Sequence, residues 1–286
     1  MLIMSLLPLQ AQNQPSEKLA DFVDKKLYKK GILLAPAHRL KSKNNTAPKT
    51  IGLLVFGVHS SPEYTGSDGF WSYYESMSDV STHMVAQKVH DQCIDGLKAN
   101  FKEQGVTLLT PAEYLDTDAK KTAYQNMDMR MMGLAAATAQ VANPDQIGLP
   151  AGYKYIKNSI YHSDVGGRAD LIEPLKTFDL DGYLCVFLEF YGAETLSNVR
   201  TNLMLFKDRD YVSKVKKETY RRMDLASNVL PMGNTQIETA ARNELKAMKK
   251  KKRDTMISLE NGQMWVDPNI AKVIIGSTSY YFPLIK

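Results

Sequence analysis

His59 and Ser60 stand side by side just past an apolar run, Ile51 to Val58, with Glu63 and Asp68 close behind. Histidine, serine and carboxylate are the residue types of a hydrolase. The space beyond a strand's C-terminal end is also where an α/β sheet binds its ligands. The spacing argues against that chemistry. The pattern is not GxSxG, and no helix follows at once, so a nucleophile elbow does not form. A catalytic base must reach its hydroxyl across space, which neighbours on an extended chain do not readily do. His59 and Ser60 therefore remain fallback catalytic candidates, within a rival reading in which residues 59–79 form the lid of a hydrolase and Glu63 or Asp68 contributes.

Other chemistries have less support. Gly57, Gly66 and Gly69 lie at and beyond the end of the apolar run, but their spacing fits neither GxGxxG nor GxxxxGK[ST], and no cofactor is expected. Of the 5 histidines (His38, His59, His83, His90 and His162), His83 and His90 share one helical stretch. They are two turns apart, too far to chelate as an i, i+4 pair would, and no metal is expected. Asp179 with Asp181, and Asp208 with Asp210, fall in turns, where Asp commonly serves local backbone hydrogen bonds. Cys93 and Cys185 are not a CxxC pair and cannot make a zinc site alone. They read as buried small hydrophobes, with a disulfide as the alternative in an exported chain.

Periodicity predicts the elements that position these residues. Thr50 to Val58 is a continuous apolar run, suited to a strand covered on both faces. Met84, Val85, Val89, Ile94, Leu97 and Phe101 recur at three- and four-residue spacing, predicting a helix over 80–104. Ser78, Asp79 or Ser81 can cap it, and Gly105 closes it. "VTLLT" then reads as a strand, and Pro111 opens another helix. That order makes a βαβ unit with a parallel pair the natural solution.

"DGYLCVFLEFYG" is apolar on both faces, Tyr183, Cys185 and Phe187 against Leu184, Val186, Leu188 and Phe190, which predicts a central strand. A hairpin follows, one arm around Leu203 and Leu205 and a Lys-rich second arm over Tyr211 to Tyr220. Amphipathic helices are expected over 16–30 and from Thr235 to Met248. The predicted fold is α/β, a mixed sheet built on a βαβ unit with an antiparallel hairpin extension and flanking helices. Residues 13–49 read as an N-terminal helix and linker, 50–230 as the core domain, and 231–286 as a C-terminal helix and tail.

Residues 59–79 exceed the ~12–15 residues that compact domains usually leave in a loop without function or disorder. Tyr64, Phe70, Trp71, Tyr73 and Tyr74 cluster there among polar residues, the composition of a binding hot spot. Packing back over the sheet end is the alternative. The basic run Lys249, Lys250, Lys251, Lys252 and Arg253 suits a helix C-terminus, or contact with an anionic surface. Met127, Met129, Met131 and Met132 fit a core-facing helix or an adaptable binding face.

A net charge of +5 over 286 residues is too mild to argue for nucleic acid. No apolar stretch approaches the ~20 residues of a membrane helix. Residues 2–9, "LIMSLLPL", with small Ala11 following, look like the end of a signal peptide lacking its basic n-region. Residues 1–12 are expected to be its remnant, and the protein periplasmic or secreted.

The strand "TIGLLVF", the helix "HMVAQKVHDQCIDGLKANFKEQG", the strand "VTLLTPAEYL" and the later "FDLDGYLCVFLEF" with its hairpin resemble a group of exported α/β proteins. These are the periplasmic domains of the curli secretion-channel subunit, the lipoprotein activators of penicillin-binding proteins, and the Tol N-terminal domain. The resemblance covers roughly residues 50–125 and 168–220, through element order and hydrophobic pattern. This chain has no lipobox Cys and carries a long insert at 128–167. The resemblance implies a non-enzymatic module that binds an envelope protein or polymer.

Overall fold

A computed structural model describes residues 33–34, 48–128, 147–156, 173–191, 195–206, 223–231, 257–260 and 263–279. The segment 1–12, the helices expected over 16–30 and from Thr235, the arm Tyr211 to Tyr220 and the run Lys249 to Arg253 lie outside the described residues. So do His38, His162, Asp208, Asp210 and Met129 to Met132.

The first half contains β1 (Leu33–Leu34), β2 (Thr50–Ser61), β3 (Glu63–Ser67), β4 (Ser72–Glu75) and the long helix α1 (Asp79–Lys102). It continues through β5 (Thr107–Leu109), α2 (Pro111–Tyr114), α3 (Asp118–Asn126) and β6 (Ile147–Gly148). The second half contains α4 (Glu173–Phe178), β7 (Gly182–Tyr191), β8 (Thr195–Phe206) and β9 (Met223–Pro231). Strands β10 (Ile257–Glu260) and β11 (Gln263–Val266) and helix α5 (Asn269–Thr278) end the described chain.

The sheet runs β1-β9-β8-β7-β2-β5, with β6 also on β2. Strand β2 pairs parallel with both β5 and β7, so β2–α1–β5 is the expected βαβ unit. Strands β8 and β9 extend the sheet antiparallel from β7. The fold is thus α/β with a mixed sheet, as its pattern predicts. Strand β9 lies beyond the stretch expected for the hairpin's second arm. One edge of β2 is divided: β5 pairs with its start, Thr50 to Gly52, and β6 with Val58 and His59 near its end.

Both faces of β2 and β7 are buried, because each bears a separate hydrophobic layer. Leu184, Val186, Leu188 and Phe190 join the layer under α1 and α5, while Tyr183, Cys185 and Phe187 join the one under α2, α3 and α4. Strand β2 alternates less simply. Its register against β7 slips between Leu53 and Val55. A bulge adds a residue to one strand and re-aims the side chains beyond it. Leu53, Phe56 and Val58 therefore face α1, while Leu54 and Val55 share the opposite layer.

Helix α1 buries Thr82, Val85, Ala86, Val89, Cys93, Leu97 and Phe101. This stripe is rotated from the expected one, since Met84 is exposed and Ile94 only partly buried. Ser78 caps the helix, its hydroxyl accepting from the Ser81 N–H. The single helix expected after Pro111 is two, α2 and α3, each with its own Thr N-cap, Thr110 and Thr117. Helix α5 falls within the stretch that sequence marks only as the C-terminal tail. It lies beside α1, with Asn100 Nδ2 donating to the Ile275 carbonyl at 3.3 Å and to Ser279 Oγ at 2.9 Å.

Asp181 fixes the starts of the two central strands. Its Oδ2 accepts from the backbone N–H groups of Lys49 and Thr50, both at 2.8 Å, and from the Thr50 hydroxyl at 3.1 Å. This aspartate does bond backbone, but across the sheet to a strand 131–132 residues away rather than within its own turn as expected.

Candidate functional site

Residues 59–79 are not the irregular loop their composition indicates. The central strand β2 runs on to Ser61, and after Pro62 the chain folds into an antiparallel hairpin of β3 and β4. Register pairs Glu63 with Glu75, Tyr64 with Tyr74, Gly66 with Tyr73 and Ser67 with Ser72, with a slip between Tyr64 and Gly66. Asp68, Gly69, Phe70 and Trp71 make the turn between the two strands.

That turn is organised by one carboxylate. Asp68 Oδ1 accepts from the Phe70 N–H at 3.0 Å and the Trp71 N–H at 2.8 Å, and Oδ2 accepts from the Tyr73 hydroxyl at 2.6 Å. Gly69 sits at φ +92°, a conformation glycine adopts without the penalty of a Cβ, and its N–H donates to Ser67 Oγ at 3.1 Å. Asp followed by Gly is a strong turn signal between strands, because Asp bonds its own downstream backbone. The Tyr73 hydroxyl, with the Trp71 and Phe70 amides, holds the Asp68 carboxyl below the usual carboxylate range. Its charge persists into mild acid.

With the turn's backbone tied to Asp68, its large side chains face water. Phe70 is 93% exposed, Trp71 72%, Tyr74 64% and Tyr73 50%. Val80 and Met84, on the first turns of α1, are also exposed. Burying a ring of this size is worth about 1.5–3 kcal/mol, so four presented together depart from ordinary surface composition. The structure gathers Phe70, Trp71, Tyr73 and Tyr74 on one short hairpin, and Tyr64 joins them in backbone register. The four described rings do not pack back over the sheet end. Neither Asp68's role as organiser of the turn nor the exposure of Val80 and Met84 is among the sequence-based expectations. The Asp68-Gly69 pair carries a signal for the first; helical periodicity carries none for the second.

His59 and Ser60 occupy successive positions in β2, where side chains alternate between faces. Ser60 is buried, and its Oγ accepts from the Met77 N–H at 2.9 Å, tying β2 to the segment that leads into α1. His59 is aligned with Glu189 across β7 and with Ile147 across β6. Burial lowers its pKa, with the Glu189 charge acting in the other direction. The strand's pleat thus separates the histidine from the serine it would have to activate.

His90 Nδ1 lies 3.4 Å from Asp91 Oδ1, and its Nε2 lies 3.2 Å from the Tyr153 hydroxyl. Its ring meets Phe56 and Tyr153 edge-on, a packing role within the layer under α1. His83 Nδ1 is 2.9 Å from the Asp79 carbonyl on its own helix. Among the described residues no group of three or more His, Cys, Asp or Glu is placed to hold a metal ion. Cys93 and Cys185 are free and buried in the two opposite layers of the sheet. Met127 is buried among the aromatic residues of α2 to α4.

No family model, curated protein or solved structure matches this chain. Among the described residues no helix is long and apolar enough to cross a membrane.

Proposed function

We propose that this chain is a non-catalytic binding module of the cell envelope, engaging another envelope component through the 63–75 hairpin. The observation that carries the reading is the group of four rings, Phe70, Trp71, Tyr73 and Tyr74, held 50–93% exposed on a hairpin whose turn is organised by Asp68. Rigid aromatic side chains on a preorganised backbone lose little entropy on binding and dominate interface energetics. The periplasmic or secreted location rests on "LIMSLLPL" with Ala11, and on the resemblance of residues 50–125 and 168–220 to exported binding proteins.

A photo-reactive phenylalanine analogue in place of Phe70 tests the surface directly. Irradiation in the native cell is expected to give a discrete crosslinked species that Trp71→Ala with Tyr74→Ala abolishes. Crosslinking that survives those substitutions, or none at all, overturns the hairpin as the binding surface. Sequencing the mature N-terminus tests export, and Met1 retained in the mature protein overturns it.

A further inference from the structure

The hairpin carries a charge signature unlike the rest of the chain. Between Lys49 and Lys88 there is no Lys or Arg, in a protein with 36 of them and a net charge of +5. The same interval contains Glu63, Asp68, Glu75 and Asp79. Asp79 opens α1, where a carboxylate complements the helix dipole, but the other three belong to the hairpin. Glu63 and Glu75 are direct register partners. Like charges directly opposite each other weaken a strand pair, and opposite charges strengthen it. Asp68 is exposed at the turn beside the rings. Its hydrogen bonds to Tyr73, Phe70 and Trp71 use its oxygens as acceptors without neutralising it.

Resting on the binding reading above, we infer that the occupant of the hairpin is a cationic polypeptide segment bearing Arg or Lys. Aromatic faces attract ammonium and guanidinium groups through the ring quadrupole, with Trp the strongest. A partner cation would lie over Trp71 or Tyr74 and near the Asp68 carboxylate. Phosphate-bearing surfaces are repelled by the same charges. An acidic turn residue two positions from Phe70 also opposes insertion of the tip into an anionic bilayer, whose surface potential has the sign of the hairpin's own charge.

The test measures fluorescence anisotropy of labelled octa-arginine and octa-glutamate peptides against the full chain at low and moderate salt. Octa-arginine is expected to bind, more weakly as salt rises, and octa-glutamate is not. Trp71→Ala is expected to weaken octa-arginine binding by roughly threefold to thirtyfold, the range of a partly desolvated cation–π contact. Asp68→Asn removes the charge, and the acceptor for the Tyr73 hydroxyl, while keeping one for the Phe70 and Trp71 amides. It should weaken binding and flatten its salt dependence, with the fold retained by circular dichroism.

Octa-arginine binding that ignores both substitutions would overturn the inference, as would hairpin-dependent binding of octa-glutamate or of phosphatidylglycerol vesicles. So would a dimer, seen by light scattering, that Trp71→Ala dissociates. The two readings fail differently. A Trp71-dependent crosslink from position 70 without octa-arginine binding leaves the binding surface standing and removes the cationic partner. Loss of both crosslink and peptide binding removes both.

Discussion

The Tyr124 hydroxyl donates a 2.8 Å hydrogen bond to the carbonyl of Leu54, the extra residue of the bulge in the central strand β2. A bulge leaves its extra residue outside the regular ladder, and Tyr124 meets this one from helix α3. The same hydroxyl accepts from the Lys154 N–H at 3.2 Å, so one side chain joins the sheet, the helix and the segment after β6. Tyr124→Phe removes the donor while retaining the ring. The expected loss is about 1–3 kcal/mol of stability, the cost of leaving a buried acceptor unmade, read by denaturant titration. A loss within experimental error would show that another donor satisfies Leu54.

Two glycines beside helix α1 or within it should respond differently to alanine. A Cβ on Gly148 would run into the Thr82 carbonyl and lie 2.5 Å from the His83 nitrogen, all backbone atoms. Helix and strand would have to separate. Gly148→Ala should cost more than about 3 kcal/mol, beyond usual overpacking. A Cβ on Gly96 would meet only Ile275, its Cδ1 at 2.5 Å, the movable end of a side chain. Gly96→Ala also gains helix propensity of roughly 1 kcal/mol, so its net effect should be small. Thermal melts of the two variants check the contrast.

The cysteines should be unreactive while the protein is folded. Burial raises the Cys93 thiol to about 12 and pushes the Cys185 thiol higher. Thiolate is the reactive form. The two thiols also lie on opposite faces of the sheet, with β2 and β7 between the layers. A thiol reagent should therefore modify neither in native buffer and both in denaturant, and mild oxidation should produce no intramolecular disulfide.

Stability should fall in mild acid. Burial lowers the pKa of both His59 and His90 below the ordinary 6.5, opposed by Glu189 at the first and by Asp91 at the second. The unfolded chain then binds protons that the native state refuses, so stability decreases as pH falls from 6.5 toward the depressed values. It is fully present above the ordinary histidine value. Melting temperatures across that interval should drop, and His90→Gln should flatten the dependence. An unchanged slope would indicate that His90 has the same proton affinity in the folded and unfolded chain.

The exposed rings should be dispensable for folding. Trp71→Ala with Tyr74→Ala removes side chains that are 72% and 64% exposed, so stability should change by no more than about 0.5 kcal/mol. A larger drop in chemical denaturation would mean that the hairpin supports the domain rather than presenting a surface.

The scaffold is legible in sequence where burial is two-sided or the period is uninterrupted. Ile51 to Val58 and Tyr183 to Leu188 announce central strands because neither face offers a charged position, and α1 announces itself through Val85, Val89, Leu97 and Phe101. Helix α5 is hidden because "NIAKVIIGST" is apolar around most of its circumference, a pattern shared by a buried strand. The 63–75 hairpin is hidden because its slip between Tyr64 and Gly66 breaks the alternation by which a strand is recognised, and because its turn is organised by hydrogen bonds to Asp68, which no hydrophobic period records. The aromatic residues of the site are visible as composition. Their exposure is not, since it depends on which way a turn holds its rings, and no spacing records that.

The hairpin's first strand is joined to β2 by a single residue, Pro62, and its second leads through residues 76–78 into α1. Whatever grips the tip therefore pulls on α1 and on β2, which is matched to β7 over ten register positions, from Ile51 to Ser61. A load directed along β2 would strain those backbone bonds in shear, all together, rather than opening them one by one. The domain would resist such a pull as a tether does, and the spur would give way only with its foundation.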